Sequence, residues 1–353
     1  MKLRYLVALN LLLALPAFAF VPLDGTYNGL FYASDGTWQG NSGVMTIKTT
    51  SRATYSVKIQ MGLERFSWTG RLDSSGADSR QVQSYYHGPI TTQFQVDPED
   101  PDLITGTISS ADWTADLFAD RAVFDGKTSS SIDAGKYTML IPGDMTSHAN
   151  PAGDGFGTIT ITRAGKITFV GSLADGTKIS QSSTVSKGGQ WGLYIPLYRG
   201  LGTFYGWMLF NGSADEDLGG DTTWIKPQHS SGFYYPDGFA IVVPSYGSYY
   251  VAPPNGAPII DVNAGTIEFV GGDLDPGVTN SISLVANNKV VNQSANGLSM
   301  TFNTASGTFT GKVMHPVNQR WLTFRGVALQ RFAVAAGYAL GWTETSEAWL
   351  QGL

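Results

Sequence analysis

The chain contains no cysteine, little charge and only 4 histidines. The absence of cysteine excludes disulfide bonds, thiolate metal sites and a lipid-modified N-terminal cysteine. Charged residues make up 14% of the chain, well below the usual ~25%. The 22 basic residues are outnumbered by 28 acidic ones and are scattered along the sequence, so the chain lacks the electrostatic signature of nucleic-acid binding. We therefore expect no nucleic-acid partner.

An apolar run stands near the N-terminus and has the features of an export signal. Lys2 and Arg4 precede it, and Ala17-Phe-Ala19 follows it as a small-residue cleavage pattern. The run is too short for a membrane-spanning helix, which needs roughly 20 apolar residues. We predict a signal peptide over residues 1–19 and a mature protein that begins at Phe20, is secreted or held at the cell surface, and is not embedded in a membrane.

A short signature recurs at domain-sized spacing. Gly25-Thr-Tyr27, Gly135-Lys-Tyr137 and Gly247-Ser-Tyr249 are separated by 110 and 112 residues. A second internal match relates Gly165–Gly171 to Gly265–Gly271. Repetition at this spacing indicates duplicated structural units. The predicted modules span residues 20–134, 135–246 and 247–353.

Within each predicted module, apolar and polar residues alternate with the period of a β-strand. Tyr55, Val57, Ile59 and Met61 alternate with polar residues, which predicts one face on a core and one in water. Helical crossovers are absent from the pattern; even the Ala-rich segment 327–340 is interrupted by glycine and predicts two strands. We predict an all-β protein of tandem antiparallel meander modules, built as small barrels or sandwiches in three pseudo-repeats.

Several longer motifs are distributed along the predicted mature chain. They are Gly-Thr-Tyr-Asn-Gly-Leu-Phe-Tyr (25–32), Thr-Ala-Asp-Leu-Phe-Ala-Asp-Arg-Ala-Val-Phe (114–124), Gly-Lys-Tyr-Thr-Met-Leu-Ile-Pro-Gly (135–143), Ala-Asp-Gly-Thr-Lys (174–178), Trp-Ile-Lys-Pro (224–227), Tyr-Tyr-Pro-Asp-Gly-Phe (234–239) and Gly-Val-Ala-Leu-Gln (326–330). Together they resemble an uncharacterised β-rich repeat region of secreted and surface proteins from environmental Gram-negative bacteria. The resemblance covers nearly the whole predicted mature chain. It implies an exported location and a repeated β architecture, and it assigns no catalytic residue.

The sequence offers little support for catalysis. It has no nucleophile elbow, zincin motif or Walker A loop. A glycosidase would need two facing carboxylates, and Asp112, Asp116 and Asp120 share a spacing of four residues that would place them on one face of a strand. The competing interpretation is that Asp116, Asp120 and Arg121 form structural ion pairs or cap a turn, and it is the one we favour.

An acidic, glycine-rich loop is a candidate calcium site. Asp215, Asp217 and Asp221 could supply the oxygen ligands that calcium prefers. Their spacing does not match that of an EF-hand, and a solvated acidic loop is the simpler interpretation. Apart from calcium, no cofactor is expected.

Aromatic residues beside loop signals are the better functional lead. Rings flanked by Asn, Asp and Gln suit stacking on sugars, because they combine apolar area with a polar tip. Since adjacent side chains on a strand point to opposite faces, one residue of each aromatic pair is expected in the core. The candidate ligand-binding residues are Trp38, Tyr85, Tyr86, Trp224, Tyr234 and Tyr235.

We therefore predict a secreted, non-catalytic surface or extracellular β-repeat protein whose partner is an extracellular glycan or another cell-surface component. Two alternatives stay open. The first is a secreted hydrolase that acts on polysaccharide through Asp carboxylates. The second is an outer-membrane β-barrel, since a signal peptide and abundant Gly and aromatic residues are shared features.

Overall fold

The computed structural model of the chain describes residues 22–34, 36, 38–211, 215–228, 234–274 and 277–353. The predicted signal peptide at residues 1–19 lies outside them. The protein is all-β, as predicted, and three antiparallel eight-stranded sheets follow one another along the chain. The first two curl into nearly closed barrels, and the third is a closed barrel. Within the described ranges, no helix has the length and apolar character needed to cross a membrane.

The first barrel has the strand order β4-β3-β2-β1-β8-β7-β6-β5, so its first strand pairs with its last and β4 and β5 form the two edges. Alternation builds its core, as Tyr55, Val57, Ile59 and Met61 are buried while Lys58 is exposed. The strands are β1 (Gly25–Tyr32), β2 (Ser42–Thr49), β3 (Thr54–Met61), β4 (Glu64–Arg71), β5 (Ala77–Ser84), β6 (Gly88–Val96), β7 (Leu103–Ser109) and β8 (Thr114–Arg121).

The second barrel repeats this topology, with β12 and β13 at its edges. Side chains bridge this opening: Trp191 Nε1 donates to Gln181 Oε1 over 2.9 Å, and Gln181 Nε2 donates to the carbonyl of Gly192 over 3.2 Å. The strands are β9 (Gly135–Ile141), β10 (Gly155–Ile161), β11 (Lys166–Ser172), β12 (Lys178–Thr184), β13 (Gln190–Leu197), β14 (Gly202–Phe210), β15 (Leu218–Lys226) and β16 (Phe239–Tyr249).

The third barrel closes fully, and β17 pairs with β24. The Ala-rich segment forms two strands joined by a short turn, as predicted. The strands are β17 (Ala264–Val270), β18 (Val278–Val285), β19 (Lys289–Asn292), β20 (Leu298–Asn303), β21 (Thr308–Met314), β22 (Trp321–Leu329), β23 (Val334–Leu340) and β24 (Thr345–Gly352). Short 3-10 helices lie at Gln39–Asn41, Tyr198–Gly200, Gly272–Leu274, Ala286–Asn288 and Gln330–Phe332.

The recurrent sequence signature only partly matches this repeat. Gly25 and Gly135 each begin the first strand of a barrel. Gly247-Ser-Tyr249 instead ends β16, where Gly247 pairs with Met139 of the second barrel. The expectation that this third copy opens the third unit is therefore wrong, because the chain completes β16 before it begins β17. The division at 134 stays a prediction, whereas the core that the second and third barrels share argues against independent folding of residues 135–246.

Neighbouring barrels pack through their outer faces. Leu30 of β1 is buried with Tyr194, Tyr205 and Ile225 of the second barrel. The backbone N–H of Gly62 donates to the Tyr194 hydroxyl over 2.8 Å. This apolar cluster and this hydrogen bond hold the first barrel against the second.

The second and third barrels share a larger core. Val327, Leu329, Ala336 and Tyr338 of the third barrel belong to the same buried cluster as the interior of the second. The Thr138 hydroxyl also donates to the carbonyl of Ala328 over 2.7 Å. Separation of these two barrels would expose side chains that each needs buried.

We predict that fragments 20–134 and 135–353 each unfold cooperatively, whereas fragment 135–246 does not. The short fragment lacks the end of β16 and loses core partners such as Tyr338; burial of each large apolar side chain contributes about 1.5–3 kcal/mol. Urea unfolding followed by circular dichroism would test this. A cooperative transition of fragment 135–246 at the midpoint of fragment 135–353 would contradict it.

Candidate functional site

Three of the predicted aromatic residues gather at one end of the first barrel. The rings of Trp38 and His87 lie 5.3 Å apart in an edge-on arrangement. Tyr85 and Tyr86 lie 5.0 Å apart, also edge-on, and His87 continues the group towards Trp113 at 6.4 Å. Tyr85, Tyr86 and Trp38 are 88%, 69% and 39% exposed. These three predicted residues are therefore accessible from solvent in the structure.

Hydrogen bonds, more than packing, hold the Tyr85–His87 turn between β5 and β6. The Glu64 carboxylate accepts from the Ser84 hydroxyl over 2.6 Å and from the backbone N–H of Tyr85 over 2.7 Å. Ser84 Oγ in turn accepts from the backbone N–H of His87 over 2.9 Å. Glu64 is therefore a positioning residue for the exposed tyrosines.

Trp38 is fixed by the short 3-10 helix that follows it. Its backbone N–H donates to Asn41 Oδ1 over 2.9 Å, and Asn41 Nδ2 donates to the carbonyl of Gly36 over 3.2 Å. A Cβ atom at Gly40 would overlap the indole ring of Trp38. A larger residue at this position would therefore force the indole ring to shift.

Trp38, Tyr86 and His87 line a cleft of about 260 Å³ between the first and second barrels. One wall comes from the first barrel, including the β3–β4 hairpin tip at Gly62 and Leu63; the other is the turn after β13. We call this site the aromatic cleft. Its lining residues are Trp38, Gly40, Met61, Gly62, Leu63, Glu64, Tyr86, His87, Arg199, Gly200 and Leu201.

A buried polar network anchors the second wall. Lys226 Nζ lies 2.7 Å from Asp175 Oδ2, and both side chains are almost fully buried. The Tyr198 hydroxyl donates to the same oxygen over 2.7 Å, and Trp224 Nε1 donates to the Tyr198 hydroxyl over 3.0 Å. Burial raises the pKa of Tyr198, with the nearby Asp175 charge adding to the effect, so this tyrosine acts as a neutral donor.

The network holds a strained turn in place. Tyr198 and Arg199 adopt φ values of 49° and 58°, a left-handed conformation that is uncommon for residues other than glycine. Such strain persists where surrounding contacts over-determine it. The network at Asp175 supplies those contacts and so determines the position of Arg199 in the lining of the cleft.

The other three predicted aromatic residues lie elsewhere. Trp224 is 2% exposed and packs on Phe239 inside the second barrel. Tyr235 is buried, where its hydroxyl accepts from the backbone N–H of Thr345 over 2.8 Å, and the Tyr234 hydroxyl donates to the carbonyl of Gly341 over 2.9 Å. Trp224 therefore takes part in the anchoring network, while Tyr234 and Tyr235 join the second barrel to the third.

Of the three predicted calcium ligands, Asp217 is engaged through its side chain by a cation of the protein itself. Asp217 Oδ1 accepts from Arg331 Nη1 over 2.7 Å, and Asp217 Oδ2 accepts from the backbone N–H of Tyr249 over 2.7 Å. The carbonyl of Asp215 accepts from Arg331 Nε over 3.0 Å, and Asp221 is exposed on β15. Across the described ranges, no group of three or more His, Asp and Glu residues could hold a metal ion.

The acidic series on β8 does not converge on a cleft. Asp112 is exposed in the turn before β8, and Asp116 and Asp120 lie on the outward side of the strand. Arg121 pairs with Asp102 at 2.6 Å, and among the described residues it forms no ion pair with Asp116 or Asp120, so the expected pairing within this series is wrong. Burial raises the pKa of Asp120 to about 6, and the negative charges of Asp100 and Asp102 add to the shift.

Sequence inspection did not identify Glu64 and Arg199 as parts of the site. Glu64 opens β4, and Arg199 lies in a turn of the second barrel. Both residues line the same cleft only because the two barrels pack together. Arg199 lies in a Tyr-Arg-Gly-Leu turn between two apolar strands, which signals a loop but no partner across it.

We predict that Lys226→Met destabilises the protein by about 3 kcal/mol, because it leaves the buried Asp175 carboxylate without its cation. The double variant Asp175→Asn with Lys226→Met should recover most of this loss. Lys187→Met is the matched control, since Lys187 forms an exposed pair with Asp102 and such pairs contribute less than about 1 kcal/mol. Urea unfolding measures all three; a loss for Lys226→Met no larger than for Lys187→Met would contradict the buried-pair interpretation.

We predict that Asp120→Asn raises the melting temperature at neutral pH and leaves it unchanged near pH 4. The pKa of Asp120 is about 6 in the folded protein and about 4 when unfolded. The folded state therefore binds more protons between these values, and stability falls as pH rises through this window. Thermal melts from pH 4 to 8 test this, with the exposed neighbour Asp116→Asn as control; a pH-independent difference between Asp120→Asn and wild type would refute it.

No protein-family model and no curated protein matches this chain. Solved structures match over much of its length. A transferrin-binding protein B variant from Haemophilus parasuis is 9% identical, with 93% of this chain and 76% of that chain covered and a TM-score of 0.22. A putative outer membrane protein from Bacteroides fragilis is 11% identical, with 64% and 96% covered and a TM-score of 0.20. An endo-1,5-α-L-arabinanase from Thermotoga petrophila is 11% identical, with 92% and 83% covered and a TM-score of 0.24. Scores this low carry no argument about function.

Proposed function

We propose that this chain is an exported, non-catalytic surface or extracellular protein that binds a glycan in the aromatic cleft. The observation that carries the proposal is the gathering of the exposed rings of Trp38 and Tyr86 in one cleft, with the exposed ring of Tyr85 packed edge-on against Tyr86. These residues come from two separate turns of the first barrel and are held there by dedicated hydrogen bonds.

The physical case rests on apolar area that the fold leaves uncovered. Leu63 and Leu201 are exposed beside the aromatic rings, so apolar side chains from both barrels face the same opening. Contiguous apolar surface rimmed by polar groups is typical of a binding site. Sugar rings present apolar faces and polar edges, which the rings of Trp38 and Tyr86 and the polar atoms of His87 and Arg199 can match.

The hydrolase alternative has less support. A glycosidase places two carboxyl groups across the scissile bond, about 5–10 Å apart. The described lining of the cleft contributes one carboxylate, Glu64, and both of its oxygens are occupied by Ser84 and Tyr85. Asp120 has the raised pKa expected of a general acid, but it lies outside the cleft lining.

The membrane-barrel alternative conflicts with the side-chain alternation of the closed barrel. On β20, Met300 and Phe302 are buried inside, while Ser299, Thr301 and Asn303 are exposed outside. Barrels that meet lipid show the reverse arrangement, with apolar side chains outside. The polar outer positions of β20 support a protein that works in water.

We predict that Trp38→Ala and Tyr86→Ala each weaken glycan binding about tenfold, because each removes a stacking surface whose loss costs about 1.5 kcal/mol. Binding of residues 20–353 to a broad glycan array, with and without calcium, would identify a ligand, and titration calorimetry would then give affinities. Trp321→Ala is the control, since Trp321 is exposed on the third barrel. Equal loss in Trp321→Ala, or unchanged binding in both cleft variants, would reject the proposed site.

A further inference from the structure

The outer face of β2, β3 and β4 carries a concentration of positive charge. Strand register places Lys48, Lys58, Arg65 and Arg71 on the same side of the sheet, and all four are exposed. We call this surface the basic face. The chain as a whole has a net charge of −6, so the basic face is a local reversal of the overall charge.

Three of these cations form a diagonal row. Lys58 lies opposite Thr46 on β2 and opposite Ser67 on β4. Lys48 and Arg65 are each two residues further along their strands from these positions, in opposite directions. Diagonal neighbours in a sheet lie about 7–8 Å apart, so Arg65, Lys58 and Lys48 present positive charges at regular intervals across three strands.

The basic face carries no acidic side chain to neutralise it. Glu64, the acidic residue among residues 46–72, points to the opposite side of the sheet from Arg65. Among the described residues, the side chains of the four cations have no hydrogen bond or ion pair, whereas Arg121 pairs closely with Asp102. Unpaired like charges on one face repel each other, which favours a role in binding over a role in folding. The other outward positions of these strands carry Val44, Thr46, Thr54, Ser56, Gln60, Ser67 and Thr69.

The basic face continues directly from the aromatic cleft. The β3–β4 hairpin tip and Glu64 line the cleft. Arg65, the next residue of β4, lies on the adjoining basic face. A shallow groove of about 400 Å³ then runs over the basic face, lined by residues that include Thr46, Lys58, Arg65 and Ser67. Arg199, exposed and without a polar partner in the described part of the chain, stands on the far wall of the cleft.

We infer that the glycan is a polyanion: a carboxylated or sulfated polysaccharide that stacks one sugar on Trp38 and Tyr86 and lays its acidic groups along Arg65, Lys58 and Lys48. This inference rests on the proposed function, because it assigns the charge of the ligand that the aromatic cleft holds. Hydroxyl and amide side chains between the cations match the hydroxyl groups of a sugar chain, so the basic face offers partners for both the acidic groups and the hydroxyl groups of such a ligand.

The test uses two pairs of polymers that differ in charge alone: polygalacturonate with its methyl ester, and dextran sulfate with dextran. The carboxylate and sulfate arms distinguish the two sources of negative charge. The basic-face variant is K48Q/K58Q/R65Q, and the matched control is K166Q/K312Q/R320Q, which removes the same charge from exposed positions on the other barrels. Circular dichroism and melting temperature confirm that both variants fold.

We expect wild-type protein to bind at least one anionic polymer more tightly than its neutral partner, with an affinity that falls as salt is added. The basic-face variant should lose about tenfold in that affinity, since each exposed charge pair contributes modestly. The control variant should retain it. Trp38→Ala should weaken binding to both members of a pair.

Several results would overturn the inference. Equal loss in the control variant would mean that overall charge governs binding. Equal affinity for the neutral polymers, lost in Trp38→Ala, would preserve the proposed function and reject the anionic ligand. Binding of single-stranded DNA or anionic vesicles that depends equally on the basic face would assign it to another partner. No binding to any of the four polymers would also reject it, while the broad array would still decide whether the cleft holds a glycan.

Discussion

The pairing of first and last strands holds each barrel together. Pairings between consecutive strands can form locally, but the pairing of β1 with β8, β9 with β16 and β17 with β24 joins residues far apart in sequence. Without it, each of the first two units would separate into two four-stranded sheets and the third would become an open sheet, and exposed edges invite pairing with other chains. Closure also creates the enclosed space that the alternating apolar side chains fill.

Closure is incomplete at one place in each of the first two barrels, and side chains take over there. In the first barrel, Trp68 Nε1 donates to the Tyr55 hydroxyl over 3.3 Å, and that hydroxyl donates to Asp78 across the opening. In the second, Gln181 and Trp191 form the bridge. Burial raises the pKa of Tyr55 to about 12, and its bond to Asp78 adds to the shift, so the hydroxyl keeps its proton and continues to donate.

The sequence predicted the strands well because the alternation of apolar and polar residues is a local pattern. It predicted the site less well because the burial of a side chain depends on strands that are distant in sequence. Trp38 and Trp224 both stand beside turn residues, yet Trp38 is exposed and Trp224 is enclosed by the second barrel. The difference arises from which strands surround each residue. The third copy of the Gly-x-Tyr signature likewise ends β16 instead of opening a unit, because a glycine before a tyrosine suits either end of a strand. Lysines and arginines that look scattered in sequence share one face once the register of β2, β3 and β4 is known.

The aromatic cleft depends on two barrels at once, and this dependence follows from how the barrels pack. The first barrel supplies the rings and the basic face, but the opposite wall is a turn whose left-handed residues, Tyr198 and Arg199, are held by the buried Asp175 and Lys226. The contact of Gly62 with Tyr194 then sets how far that wall stands from Leu63. A rigid core in the second barrel therefore determines the width of a cleft whose exposed rings belong to the first. Because the anchoring charges are buried and paired, they can set this geometry without competing for a ligand, while the unpaired cations of the first barrel stay available in water.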